Sequence, residues 1–323
     1  MMPVIHEQPS QADVNAMVER LGKKYVAFDR DTGFRDHLDR LLQSDASGHL
    51  VPEPRRFGST DETRGVAVIG GAGSGKTSLV ARAMKRHPAL QPSEAVPKPC
   101  VSITVPNPAT MKSVGLEILK QTGYPEAQKP RTAWEIWNCV RIRFEVLGTV
   151  VLVIDEAHDL FPTGYKSEAP EILKTLKSLM QGPGSVIVIL CGVESLFDRL
   201  AFDDQIQRRF SKFELSDVAT AADRKMLWDI LCTFCAEAGL GHPERGDLVE
   251  RLVHAGRHRF GRCVEQIIGA IEIALKQGDE DLDIQHFADS FYLQESCWID
   301  RNVFLAPRWS TIDLNSRDAS HAA

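Results

Sequence analysis

VAVIGGAGSGKTSLV, residues 66–80, reads as a strand, a tight loop and the start of a helix. Its middle fits the spacing G-x-x-x-x-G-K-[ST], with Gly70, Gly75, Lys76 and Thr77 in the fixed places. The run Val66-Ala67-Val68-Ile69 before it is apolar, and Leu79, Val80, Ala83 and Met84 after it follow a helical spacing. Glycines in such a loop let backbone N–H groups converge on phosphate oxygens, and the helix N-terminus adds partial positive charge. Lys76 then reaches the β- and γ-phosphates, and the Thr77 hydroxyl holds Mg²⁺. The expectation is ATP with Mg²⁺, held by Gly70, Gly71, Ala72, Gly73, Ser74, Gly75, Lys76, Thr77 and Ser78.

A second motif answers the first. Val150-Val151-Leu152-Val153-Ile154 runs into Asp155-Glu156-Ala157-His158. A continuous apolar run suits a central parallel strand buried on both faces. Two carboxylates at its carboxyl end lie where open α/β sheets place their chemistry. After a phosphate-binding loop this is a Walker B arrangement, in which Asp155 holds Mg²⁺ through water and Glu156 orients or deprotonates the attacking water.

Outward from these motifs the pattern alternates between strand and helix. Cys100 to Val105 alternates as a short strand, and Met111, Val114, Ile118 and Leu119 mark a helix. Thr132-x-x-Glu135 is a capping box opening a helix with Ala133, Trp137, Val140, Phe144 and Leu147 inward. Ile172, Leu173, Leu176, Leu179 and Met180 form another helical face, and Val186 to Leu190 another buried strand. The fold class expected is α/β, a parallel doubly wound sheet of five strands, one of them thinly marked between Thr104 and Val150. From about Glu214 strand signals stop and helical spacings take over, which implies a small all-helical second domain. The expected boundaries are 1–64 for a polar segment, a helix within Leu21–Leu42 and a loop; 65–213 for the nucleotide-binding core; 214–293 for the helical lid; and 294–323 for a polar tail.

Composition sets limits on function. The 323 residues, 43% hydrophobic and 25% charged, are those of a globular protein with a sizeable core. A net charge of −6 carries no global basic signature, so any nucleic-acid binding rests on a local patch. Seven scattered cysteines suit a reducing cytoplasm better than a disulfide framework. The polar N-terminus and the lack of a long apolar run give the expectation of neither a signal peptide nor a membrane span. Cys232-x-x-Cys235 has zinc-like spacing, but no second pair stands near it and core packing is expected instead. His254, Arg257, His258 and Arg259 are expected to be ordinary charge in a loop.

Taken together, VIGGAGSGKTSLV, VPNPATMKSVGLEILKQTGYP, VVLVIDEAHDL and a strand ending in CG followed by DDQIQRRF resemble the AAA+ ATPases of bacterial transposons, the TniB/TnsC-like transposition regulators. The resemblance covers roughly residues 25–290, and the middle segment is its most discriminating part. It implies a cytoplasmic bacterial ATPase that assembles with ATP as a homo-oligomeric ring or helical filament on duplex DNA. Such a protein links a target-selection protein to the transposase and leaves DNA on hydrolysis. It also implies that Arg208 or Arg209 is an arginine finger entering the neighbouring subunit's site, with Arg209, directly before Phe210, the better match. Arg262 matches the sensor-2 position, and Cys191-Gly192-Val193 stands where the family usually has Asn, Thr or Ser, which implies either slow hydrolysis or another residue in that role. Lys112 and Lys166 are candidate DNA contacts.

Three rivals share parts of this pattern. A DEAH-type helicase needs two nucleotide-fold lobes, and only one sheet's worth of strands is present. An AAA+ ATPase of a secretion or cell-envelope system would be supported by a membrane-spanning or peptidoglycan-binding extension. A nucleotide-switched adaptor that scarcely turns over would be separated from an enzyme by steady-state ATPase with and without duplex DNA.

Overall fold

Strands in this chain are short apolar runs flanked by polar turns, and the structure, a computed structural model, describes them within residues 10–124, 132–161, 169–201 and 203–314. The chain divides into two compact units: Ala27–Leu215, and Met1–Val26 joined to Ser216–Ala323.

In the first unit, α2 (Asp29–Asp39) follows α1 (Gln11–Gly22) of the other unit. The short strands β1 (Leu42–Ser44) and β2 (Leu50–Pro54) then pair antiparallel. The central sheet takes β3 (Gly65–Ile69), β4 (Cys100–Thr104), β5 (Val151–Asp155), β6 (Ile187–Gly192) and β7 (Phe210–Glu214). Their order is β4-β5-β6-β3-β7 and every pairing is parallel. Between the strands run α3 (Lys76–Arg86), α4 (Met111–Gln121), α5 (Ala133–Leu147), α6 (Ala169–Leu179), α7 (Ser195–Leu200) and α8 (Asp204–Gln207). The doubly wound parallel sheet expected from the sequence is therefore present.

Alternation along the strands fixes what faces what. Leu152 and Ile154 of β5 join a core with Ile118, Val140 and Phe144 of α4 and α5. Val151 and Val153 turn the other way and join Leu79, Val80 and Met84 of α3. By the same parity Asp155 falls on the α3 side, and so does Cys191 after Ile187 and Ile189 of β6. The sheet thus brings the end of the Walker B strand to the helix that opens at Lys76.

The second unit is helical: α1, α9 (Ala221–Ala238), α10 (Leu248–Ala255), α11 (Phe260–Gln277) and α12 (Ile284–Glu295). Leu21, Leu231, Phe234, Ile267, Ile271, Phe287 and Phe291 form its core. Side chains cap three of its helices: Ser10 accepts from the Asp13 N–H, Thr220 from that of Asp223, and Asp283 from those of Gln285 and His286.

Several sequence expectations change here. The fifth strand is β7, not a segment between Thr104 and Val150. As an edge strand with mostly exposed side chains it carries no apolar run to read. Residues 43–64 are not one loop, since β1 and β2 form a hairpin there. The helix expected within Leu21–Leu42 is α2, whereas most of α1 lies in the first twenty residues, read as a polar segment, and belongs to the other unit. Residues 294–314 are not a free tail: Val303 and Phe304 are buried, and Arg251 Nη1 donates to the carbonyls of Val303, Phe304 and Ala306 at 2.8, 3.1 and 3.1 Å. Burying one such phenylalanine contributes roughly 2–3 kcal/mol.

Candidate functional site

The phosphate-binding loop follows β3 and closes at Gly75, the residue before α3, whose φ of 90° lies in the left-handed region. A Cβ at Gly75 would also press on Arg30 Nη2 at 3.1 Å, so both conformation and space ask for glycine. At Gly70 a Cβ would meet Ser74 Oγ at 2.7 Å. The loop is thus closed around its own backbone.

Lys76 is only 7% exposed, and its ammonium donates to the carbonyl oxygens of Gly70 at 2.7 Å and Gly71 at 3.1 Å. Among the described residues no carboxylate forms an ion pair with it, so this buried cation is short of counter-charge. Ser74 Oγ is buried and has no hydrogen-bond partner. Both features fit an anion with several oxygens entering the loop, as a triphosphate does.

Across the sheet, Thr77 Oγ1 donates to Asp155 Oδ2 at 2.7 Å, and the Glu156 N–H donates to Asp155 Oδ1 at 2.9 Å. A hydroxyl and a carboxylate this close form the hard-oxygen pair that Mg²⁺ takes beside phosphates. Glu156 follows the strand with φ of 52°, and its carboxylate is half-exposed. His158 Nδ1 stands 3.4 Å from Glu156 Oε2. Cys191 is buried at the end of β6, and burial, with Asp155 close by, pushes its thiol far above the ordinary range. It stays protonated and offers a weak S–H donor. A cavity of about 600 Å³ opens beside Thr77, Asp155 and Cys191 and runs along α3 between apolar walls such as Met84, Leu90 and Val153.

The remaining candidates are scattered more widely. Arg209, expected to reach a neighbouring subunit, is 2% exposed, so that expectation is corrected. Its Nη2 lies 2.7 Å from Glu62 Oε2 and its Nη1 donates to the Lys177 carbonyl at 3.2 Å. Arg208 Nη2 lies 3.0 Å from the same oxygen, but its side chain is 60% exposed. Of the two, only Arg208 is placed to reach out of the protomer. Arg262 sits in the first turn of α11, in the helical unit. Lys112 is exposed on α4, and Lys166 lies outside the described residues.

The basic cluster of the helical unit has structural partners. Arg257 pairs with Glu295 at 3.0 Å, Arg259 with Asp217, and His254 Nε2 with the Ile312 carbonyl at 2.9 Å. Cys235 is buried within α9, and among the described residues no cluster of three or more metal-ligating side chains occurs.

Two residues at the site escaped the sequence. Arg30 of α2 donates to the Ser74 carbonyl at 2.9 Å and braces the loop from a distance of 44 residues. Glu62 joins both arginines. Neither belongs to a local motif, because the contacts that tie each to the site are with sequence-distant groups.

The family model "Bacterial TniB protein" matches residues 50–220, more than half of the chain. No match is found among curated protein sequences. Among solved structures the chain is similar to the Orc1 protein of Aeropyrum pernix in complex with DNA, at 16% identity and a TM-score of 0.61, covering 85% of this chain and 67% of that one. It is similar to the Orc2 protein of Aeropyrum pernix in ADPNP–ADP complexes, at 16% identity and a TM-score of 0.62, covering 87% and 75%. It is also similar to Cdc6p from Pyrobaculum aerophilum, at 16% identity and a TM-score of 0.61, covering 84% and 70%. At such identities the likeness is one of fold, the AAA+ P-loop arrangement of a parallel sheet followed by helices.

Proposed function

The chain belongs to the bacterial TniB family, and from that premise we propose that it is an ATP-dependent regulator of DNA transposition. In this role it is an AAA+ ATPase that binds ATP and Mg²⁺, assembles on duplex DNA as a ring or filament, and couples a target-selection protein to the transposase. Hydrolysis returns it from the assembled to the free state. The observation that carries the nucleotide part is the buried Lys76 ammonium, which donates to the Gly70 and Gly71 carbonyls and has no ion pair among the described residues, beside the Thr77–Asp155 pair.

Each residue has a task in this scheme. Lys76 and the loop N–H groups offset phosphate charge; Thr77 and Asp155 hold the metal ion, which supplies Lewis-acid charge beside the phosphates. Glu156, next in the chain, accepts a proton from water or aims it. Arg208 reaches a neighbouring protomer, and Arg262 takes the sensor-2 role. The seven cysteines, none of them in a disulfide, support a cytoplasmic place of work.

Cys191 favours a second reading, an adaptor switched by nucleotide that turns over slowly, because a protonated thiol is a weak partner for water or phosphate. Phosphate release with and without duplex DNA tests both. The ATPase reading expects turnover that rises with DNA, and the adaptor reading expects assembly with almost no release. Absence of nucleotide binding would end both.

A further inference from the structure

Glu62 sits in the turn between β2 and β3, yet it is only 5% exposed. Its turn is tied down at both ends. Phe57 and Glu62 exchange backbone hydrogen bonds at 2.9 and 3.3 Å, and Thr63 Oγ1 donates to the Val186 carbonyl at 2.6 Å. The carboxylate oxygen Oε2 is thereby a fixed point. Arg209 occupies it from inside at 2.7 Å and Arg208 from outside at 3.0 Å.

The charges do not cancel evenly. One carboxylate faces two guanidinium groups, so the trio carries one excess positive charge. Arg209 is enclosed and also held by the Lys177 carbonyl, so the excess sits at the exposed Arg208. A long exposed arginine normally spreads over many rotamers, and ordering it later costs conformational entropy. Docking on a fixed oxygen removes much of that disorder beforehand.

We propose that Glu62 is the positioning residue for Arg208: with its charge balanced by Arg209, it aims the Arg208 guanidinium out of the protomer toward a neighbour's nucleotide. This rests on the reading above that Arg208 acts across a protomer interface. Glu62 touches no nucleotide in this arrangement. It sets the direction and the residual charge of the group that does.

The test uses the full chain with duplex DNA and ATP. Glu62→Gln should bind a fluorescent ATP analogue as a monomer within twofold of the wild type. It should self-associate at least tenfold more weakly with a non-hydrolysable analogue, by sedimentation, and turn over at least tenfold more slowly. Mixed with Glu156→Gln, which carries an intact Arg208, it should regain ATPase. Mixed with Arg208→Ala it should not, because both lack a usable donor. A general loss of structure would not sort by partner in this way. Since Glu62→Gln leaves the Arg209 charge buried alone, the double variant Glu62→Gln/Arg209→Met replaces the enclosed pair together and is read in the same way if the single variant does not fold. Wild-type turnover by the folded variant, or recovery with Arg208→Ala, overturns the role of Glu62. Failure of Arg208→Ala to regain activity with Glu156→Gln, although the two co-sediment, overturns the interface role of Arg208 itself and the proposal with it.

Discussion

Thr77 Oγ1 and Asp155 Oδ2 lie 2.7 Å apart, a hydrogen bond between residues 78 positions apart in the chain. It exists because strand alternation turns Asp155 to the α3 side of the sheet, while the closed loop sets Thr77 in the first turn of α3. Two motifs that the sequence shows separately are one site in space.

Lys76→Ala should weaken ATP binding by about a hundredfold or more, the scale of one lost contact to a charged group. Equilibrium titration with a fluorescent ATP analogue reads this directly. Affinity within a factor of two of the wild type would remove Lys76 from the site.

Glu156→Gln should keep nucleotide affinity and lower turnover by about a hundredfold or more, the usual contribution of a general base. Assemblies on DNA should then outlive those of the wild type. Should phosphate release continue at the wild-type rate, Glu156 does not handle the water.

Arg208→Ala and Arg209→Ala should separate cleanly. Removing Arg209 leaves the 5%-exposed Glu62 carboxylate with the outer Arg208 as its remaining counter-charge and costs up to about 3 kcal/mol of stability. Removing Arg208, 60% exposed, costs less than about 1 kcal/mol of stability but slows turnover by about a thousandfold. Thermal melts and phosphate release on both variants decide it; equal melting temperatures would contradict the burial argument.

Burial raises the thiols of Cys100, Cys235 and Cys263 from 9.0 to about 12, and that of Cys191 still further. In the unfolded chain these thiols ionise near their ordinary value, while in the folded chain they stay protonated. Their contribution is therefore complete below pH 9 and lost as pH rises toward 12, by up to about 1.4 kcal/mol per pH unit and thiol. Cys263→Ala should show a shallower decline than the wild type in unfolding measured from pH 8.5 to 10. A decline of equal slope would mean that the Cys263 thiol ionises in the folded protein.

The legible parts of this chain were those written in contiguous residues. Gly70–Ser78 and Asp155–Glu156 follow buried apolar strands, so spacing alone announced both the sheet and the phosphate site. β7 was missed because an edge strand reading Phe-Ser-Lys-Phe-Glu needs no apolar run. The packing of Val303 and Phe304 was missed because it depends on Arg251 gathering three carbonyls more than fifty residues away. Arg208 and Arg209 are adjacent and chemically identical in the sequence. Only the fold, which encloses Arg209 against the Lys177 carbonyl and leaves Arg208 60% exposed, tells the outward one from the buried one.

The most direct measurement of the central claim is sedimentation of the protein with duplex DNA in the presence of ATP analogue, of ADP and of no nucleotide, at low and raised salt. With a net charge of −6, DNA binding should come from a local basic surface repeated along an assembly, not from the field of a single chain. The account predicts a large DNA-bound species only with the ATP analogue, indifferent to DNA sequence and dispersed steeply by salt. The same sedimentation in all three nucleotide states, or tight salt-insensitive binding by the monomer without nucleotide, would contradict it.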